Sequence, residues 1–343
     1  NNMHCGTIDG ATLTRIIVES GTITENTAYA AHTGVFAGTT VQGSTPNTIS
    51  YCLSGANVVN SAGSNDTGGF VGKMYGTIEY CGFTGTLQGT TSLGAFIGSD
   101  NGDSPYVTTV KNCFVISESM TSDQYTGALC GWQNGGGVFV NVVVCAPNNT
   151  ELFGHAGGGA ENVVTMTVDQ FASGEATYLM NGYDWENAKW FQTLGEDALP
   201  TLDATHKVVY AQGDLNCDGT AKSGELVYNN EGGSTRPDHE YEDGICVNCG
   251  QADLGFVQVG EDGFYELATA GNLEWFAKKV NKGETDLKAR LVADIDLEDM
   301  VHTPIGSAGN PFKGTIDGQF HSISNLNNML CGTIDGATLT RII

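Results

Sequence analysis

The chain has 343 residues, with 39 Asp and Glu against 14 Lys and Arg, a formal net charge of −25, and 48 glycines. That balance excludes nucleic acid as a partner, because phosphate binding needs a basic face, and leaves cations as the natural small partners. No run approaches the ~18 apolar residues of a membrane span, so no membrane insertion is expected in this segment, and the length suggests roughly two to three domains.

The first element returns at the end. NNMHCGTIDGATLTRII (1–17) reappears as NNMLCGTIDGATLTRII (327–343), with His4 against Leu330 the one difference, so residue 1 aligns with residue 327 and the period is 326 residues. A duplication inside one domain would have diverged further. The expectation is therefore a piece of a tandem array of near-identical modules, cut at an arbitrary point, with neighbouring identical modules, in tandem or in a filament, as partners.

Residues 18–165 carry shorter repeats. GVFAG (34–38), GGFVG (68–72), GAFIG (94–98) and GALCG (127–131) place Phe36, Phe70, Phe96 and Leu129 at one position per repeat, with a degraded copy at ELFG (151–154). TISYC (48–52), TIEYC (77–81), VKNC (110–113) and NVVVC (141–145) do the same for Cys52, Cys81, Cys113 and Cys145. Short Val/Ile/Thr/Phe/Tyr runs broken by Gly, Asn, Asp and Ser predict strands and turns, and repeats of this length predict stacked supersecondary units. The expected fold class is all-β, a β-solenoid with columns of Phe/Leu and Cys inside the coil. The Cys column reads as a small apolar column, since free Cys is among the most buried residues; a metal or disulfide reading stays open. The glycines serve either positive φ or close approach of neighbouring coils. The longest loop, GSDNGDSPY (98–106), could carry contacts.

The pattern changes after residue 165. VDQFASGEATYLMNG (168–182) predicts a short helix, with Ser173 as candidate N-cap and Gly182 as C-cap. WFQTLGEDALPTLD (190–203) predicts an extended closing segment that completes a domain over 1–203.

A polar linker, 204–252, follows. Cys217, His239, Cys246 and Cys249 give C-x21-H-x6-C-x2-C, the ligand number and types of a closed structural zinc site. About 50 polar residues bury too little core to order themselves, which gives a metal staple a physical purpose. A Cys246–Cys249 or Cys217–Cys246 disulfide and unpaired thiols are the competing readings. Overlapping this, DLNCDGTAKSGE (214–225) puts Asp214, Asn216, Asp218 and Glu225 at EF-hand calcium positions. Against calcium stand Ala221 at position eight, strand-like flanks and Cys217 inside the loop; a polar turn is the alternative. No organic cofactor is implied.

Residues 253–343 open with FYELATAGNLEWFAKKVNKGE (264–284), an amphipathic helix with Leu273, Phe276, Ala277 and Val280 on one face and Thr269 placed to cap it. Strands and turns follow in LVADIDL (291–297), PIGSAGNPFKGTIDG (304–318) and HSISNL (321–326), leading into the duplicated segment. The expected module order is helix cap, then strands through 343, then residue 18 onward of the next copy, then the closing segment near 203.

Here the chain resembles a known family. ARLVADIDLEDMVHTPIGSAGNPFKGTIDGQFHSISNL (289–326), the G-x-F-x-G repeats and FASGEATYLMNG…WFQTLGEDALPTLDATHKVVY (171–210) look like GLUG-motif repeat proteins. The resemblance covers nearly the whole chain. It implies a right-handed parallel β-helix, a bacterial cell-surface or secreted location, an adhesin-like role with host glycan or protein as possible ligands, and Cys/His linkers between modules.

Catalysis is not expected. The acidic residues of 18–165 are scattered, mostly at turns; Asp294 and Asp296 share a strand face; and no Ser/His/Asp set, phosphate loop or H-E-x-x-H is present. The expected function is a structural repeat module forming a stalk, fibre or filament and serving adhesion. The alternative is a carbohydrate-active β-helix enzyme (a polysaccharide lyase or glycoside hydrolase) or a glycan-binding module.

Overall fold

The computed structural model describes residues 5–26, 32–41, 46–61, 66–100, 108–133, 137–149, 151–155, 159–242, 244–250, 253, 256–297 and 302–343. Most of the loop expected to carry contacts, 101–107, lies outside the described residues. The chain forms two compact units, Asn1–Gln212 with Leu226–Gly233, and Gly213–Glu225 with Ser234–Ile343.

The first unit is built from short parallel strands. One sheet takes Cys5–Asp9, Ala37–Val41, Val71–Met74, Ile97–Asp100, Cys130–Trp132 and Phe153–His155 in that order. A nine-stranded sheet includes the longest pair, Thr109–Ile116 and Val138–Cys145, in the register Cys113↔Val142. Two four-stranded sheets complete the set. Phe36, Phe70, Phe96 and Leu129 are fully buried. They stack through the Phe36 N–H to the Phe70 carbonyl (3.0 Å), Phe70 to Phe96 (3.3 Å) and Phe96 to Leu129 (3.1 Å), and the Phe70 ring lies 4.7 Å from Phe36 and 5.4 Å from Phe96. The flanking glycines serve close approach: a Cβ on Gly68 would collide with the Val71 carbonyl oxygen and one on Gly127 with that of Cys130.

The cysteine column holds three members. The Cys52 and Cys81 amides point at the sulfurs of Cys81 (3.4 Å) and Cys113 (3.3 Å), and all three residues are buried. Val142 takes the next place beside Cys113, and Cys145 pairs with Ile116 three residues further on, in a different apolar cluster with Phe114, Val143 and Phe171. The spacing of the cysteines does not show this slip, because Val142 to Cys145 is a continuous apolar run in which any residue could face Cys113, and pairing alone fixes the register.

The expected fold class is corrected. In place of an all-β, right-handed parallel β-helix, the strands form several separate sheets, mostly parallel, and these do not define a solenoid. The second unit adds an antiparallel pair, Tyr241–Glu242 with Ile245–Cys246, and small sheets of its own. Part of the physical reason is local. Tyr51, Tyr80, Asn112, Asn141 and Asn162 take φ of +51° to +55°, a left-handed geometry that interrupts extended chain. Many strands are then only two to four residues long and are held by pairing across the core, not by their own length.

The helices differ from expectation over 168–182, which holds two short helices in place of one, and the second ends on Asn181 as its C-cap, with Gly182 one residue beyond. α1 (Val168–Ala172) is capped by Thr167 in a capping box with Gln170, and Ser173 is its C-cap, not an N-cap. α2 (Glu175–Met180) follows Gly174, whose φ of +93° turns the chain between them. α3 (Ala270–Asn281) is capped by Thr269, whose hydroxyl accepts the Asn272 N–H, and Leu273, Phe276, Ala277 and Val280 are fully buried in the core of the second unit.

Candidate metal centre

The second unit brings four thiol and imidazole groups together. Cys217 sits in the turn between Tyr210–Leu215 and Ala221–Asn229, where Gly219 has a φ of +89° and the Asn216 N–H donates to the Thr220 carbonyl at 2.8 Å. Cys246 ends the strand Ile245–Cys246, and the chain then turns so that the Gly250 N–H donates to the Cys246 carbonyl at 2.8 Å, which carries Cys249 back beside it. His239 precedes the partner strand Tyr241–Glu242. A Cβ on Gly244 would collide with the Phe256 ring, and Ile245 and Phe256 pack against the core around α3, which anchors the segment.

The ligand atoms of Cys217, His239, Cys246 and Cys249 all lie within 4.8 Å of one another. The Cys217 and Cys246 sulfurs are 3.5 Å apart, and the Cys249 sulfur is 3.4 Å from His239 Nδ1. Zinc bonds of ~2.3 Å to sulfur and ~2.0 Å to nitrogen at tetrahedral angles require ligand separations of roughly 3.5–3.8 Å, so two edges of the tetrahedron already have about the right length. A disulfide needs ~2.05 Å, and all ten cysteines are free thiols. Cys217 and Cys246 are buried, Cys249 and His239 half-buried. The cluster could therefore hold a metal ion such as zinc.

The electrostatics fit a cation. Burial pushes the Cys246 thiol up, but the amides of Cys249 and Asn248 and the His239 ring more than offset it and hold it at about 6. Burial first, and then the sulfurs of Cys249 and Cys246, push Cys217 up to about 12. Crowded thiols cannot all ionise unaided, and a bound dication removes that penalty. Tyr241, stacked 5.6 Å from His239, is also raised, by burial and then by Asp253 and the same three sulfurs.

The calcium positions are not gathered. Asp218 Oδ1 accepts the Thr220 amide (3.0 Å) and hydroxyl (2.8 Å), Asp214 accepts Ser223 Oγ (2.6 Å), and Asn216 bonds Thr220 Oγ1 (2.9 Å). A strand starts at Ala221, so four extended residues carry Glu225 ~13 Å along the chain. Among the described residues, the grouping of potential metal ligands is the Cys/His cluster.

A cavity of about 460 Å³ in the first unit is lined by Arg15, Tyr51, Leu53, Lys189, Phe191 and Leu202 among others. Sequence reasoning did not find it, because its walls come from residues more than a hundred positions apart. The Arg15 guanidinium lies 5.4 Å over the Tyr51 ring, and Tyr51 stacks on Tyr80 at 5.0 Å.

No family model matches the chain, and no curated protein or solved structure matches it.

Proposed function

We propose that the chain is a structural, non-catalytic repeat segment whose Cys217–His239–Cys246–Cys249 cluster binds one zinc ion and so orders the polar stretch around it. The observation that carries this reading is the convergence of three sulfurs and one imidazole nitrogen within 4.8 Å, in a region otherwise composed of short strands and turns. Four protein ligands of this kind fill a tetrahedron and leave no open position for a substrate, as in structural and not catalytic sites. The cell-surface setting, the adhesive role and the relation to GLUG-motif repeats rest on the sequence phrases quoted above. Metal analysis by mass spectrometry of purified protein tests the zinc reading: one zinc per chain, lost in Cys246→Ser, is expected. A metal-free chain whose three linker thiols all react freely would overturn it.

A second reading, glycan binding, is favoured by the cavity beside Tyr51 and Lys189. Saturable binding of a neutral oligosaccharide that is abolished by Tyr51→Ala would support it, and no binding across a glycan panel would remove it.

A further inference from the structure

The duplicated segment occurs once in each unit, and over the described residues its two copies share left-handed backbone at two positions. Arg15 and Arg341 have φ of +56° and +54°, and Gly10 and Gly336 of +58° and +71°. Their neighbours differ. In the first unit the segment pairs in parallel with later strands: Cys5↔Ala37, Leu13↔Ile49 and Ile17↔Leu53. In the second unit it pairs in parallel with earlier ones: Ile305↔Cys331, Phe312↔Ile334 and Ile316↔Leu339.

The two sets of partners use different backbone groups. In the first unit the Cys5 and Arg15 amides donate, and the Ala11 and Ile16 carbonyls accept from Thr48 and Leu53. In the second unit the Thr338 amide donates, and the Thr340 and Arg341 carbonyls accept from Gly318 and Phe320. Shifted by one period, these are the groups of residues 12, 14 and 15 that the first unit's bonds above leave unused. A strand in a parallel sheet alternates its hydrogen-bonding groups between its two edges, so the copies show the two edges of one strand. Side chains agree. Ile8 is 7% exposed and Ile334 52%; Arg15 covers Tyr51, and Arg341 covers Phe320.

We infer that residues 327–343 are the joint between successive copies of this sequence: their open edge docks residues 18 onward of the next copy in the same polypeptide. The joined sheet runs Lys288–Leu291, Thr315–Asp317, Thr338–Thr340, and then the next copy's Asn47–Ser50 and Gly76–Glu79. The arginine lies between Phe320 and the next copy's Tyr51, and its ion pair with Asp317 spans two strands of that sheet. The cooperative module is thus offset from the repeat as written, beginning near residue 213 and ending near residue 233 of the following copy. This rests on the tandem-repeat reading but not on zinc, so a chain without metal leaves it standing.

The test is a permutant, residues 213–343 joined to residues 18–233, which keeps both units whole, compared with the chain as it stands. The permutant is expected to unfold in one transition, above the lower transition of the original chain. Ile334→Ala is expected to lower the permutant's Tm by roughly 4–8 °C and to leave the original chain's within about 1 °C. Equal effects in both chains would overturn the inference. Hydrogen exchange on the original chain gives an independent readout if the permutant fails to fold. Protection is expected at Arg15 but not Arg341, and at Thr338 but not Thr12; the same pattern in both copies would overturn the inference.

Discussion

Ile8 and Ile334 occupy the same place in the duplicated segment, yet Ile8 is 7% exposed and Ile334 is 52% exposed. Ile8 pairs with Thr40 and joins the core of the first unit, whereas Ile334 bridges Phe312 at the edge of the second. One local sequence has two burial states because different strands lie beside it. In the chain as it stands, Ile8→Ala is expected to cost about 2 kcal/mol and Ile334→Ala no more than about 0.5 kcal/mol. Chemical denaturation of the two variants measures both.

Phe70→Ala is expected to destabilise the first unit by ~3–5 kcal/mol, because its ring fills the space between Phe36 and Phe96 and no solvent reaches it. An unchanged melting curve would mean that the ring lies outside the core.

Cys249→Ser is expected to loosen residues 234–250 and leave the first unit intact, since all four metal-capable side chains lie in the second unit. Limited proteolysis reads this out: cleavage should quicken around 234–250, with the fragment spanning 32–200 persisting. Equal cutting of both regions would contradict it.

His206 and Asp197 form a pH-dependent pair, with Nδ1 and Oδ2 2.6 Å apart. The hydrogen bond to Asp197 holds His206 above its ordinary 6.5 despite some desolvation. Burial alone would raise Asp197, but the Thr193 amide and the His206 ring more than offset it and hold the carboxyl below 3.8. The histidine's contribution to stability is therefore fully present below pH 6.5 and lost as pH rises through its raised value. The aspartate's is present above pH 3.8 and lost as pH falls through its lowered value. An NMR titration should place the His206 midpoint above 6.5, and Asp197→Asn should bring it down.

Thr269→Ala is expected to cost the second unit about 1 kcal/mol through loss of the α3 cap to the Asn272 amide. Thermal unfolding followed by Trp275 fluorescence checks it.

Local chemistry was legible wherever it depended on near neighbours in sequence. The Thr269 cap and the buried face of α3 follow from residue type and a period of 3.6. The apolar residues of the G-x-F-x-G repeats are buried, and the C-x-x-C turn with one more Cys and a His pointed to the four side chains that the fold brings within reach of one metal ion. Misreadings arose where local patterns were ambiguous. Ser173 precedes one short helix but ends another, and the EF-hand spacing of 214–225 is defeated by a strand that begins at Ala221.

The sequence by itself determined the period of 326 residues, the alternation of short strands with turns, the two helical stretches around 168–182 and 264–284, and the identity of the four candidate zinc ligands. Only the tertiary structure decided the register that puts Val142, not Cys145, beside Cys113, the division of the strands into separate sheets in place of a solenoid, and the approach of Cys217 to Cys246 across 29 residues. The physical reason is that capping and periodicity act over a few residues, whereas strand pairing and ligand convergence are set by which distant backbone and side-chain groups satisfy one another once the chain is packed.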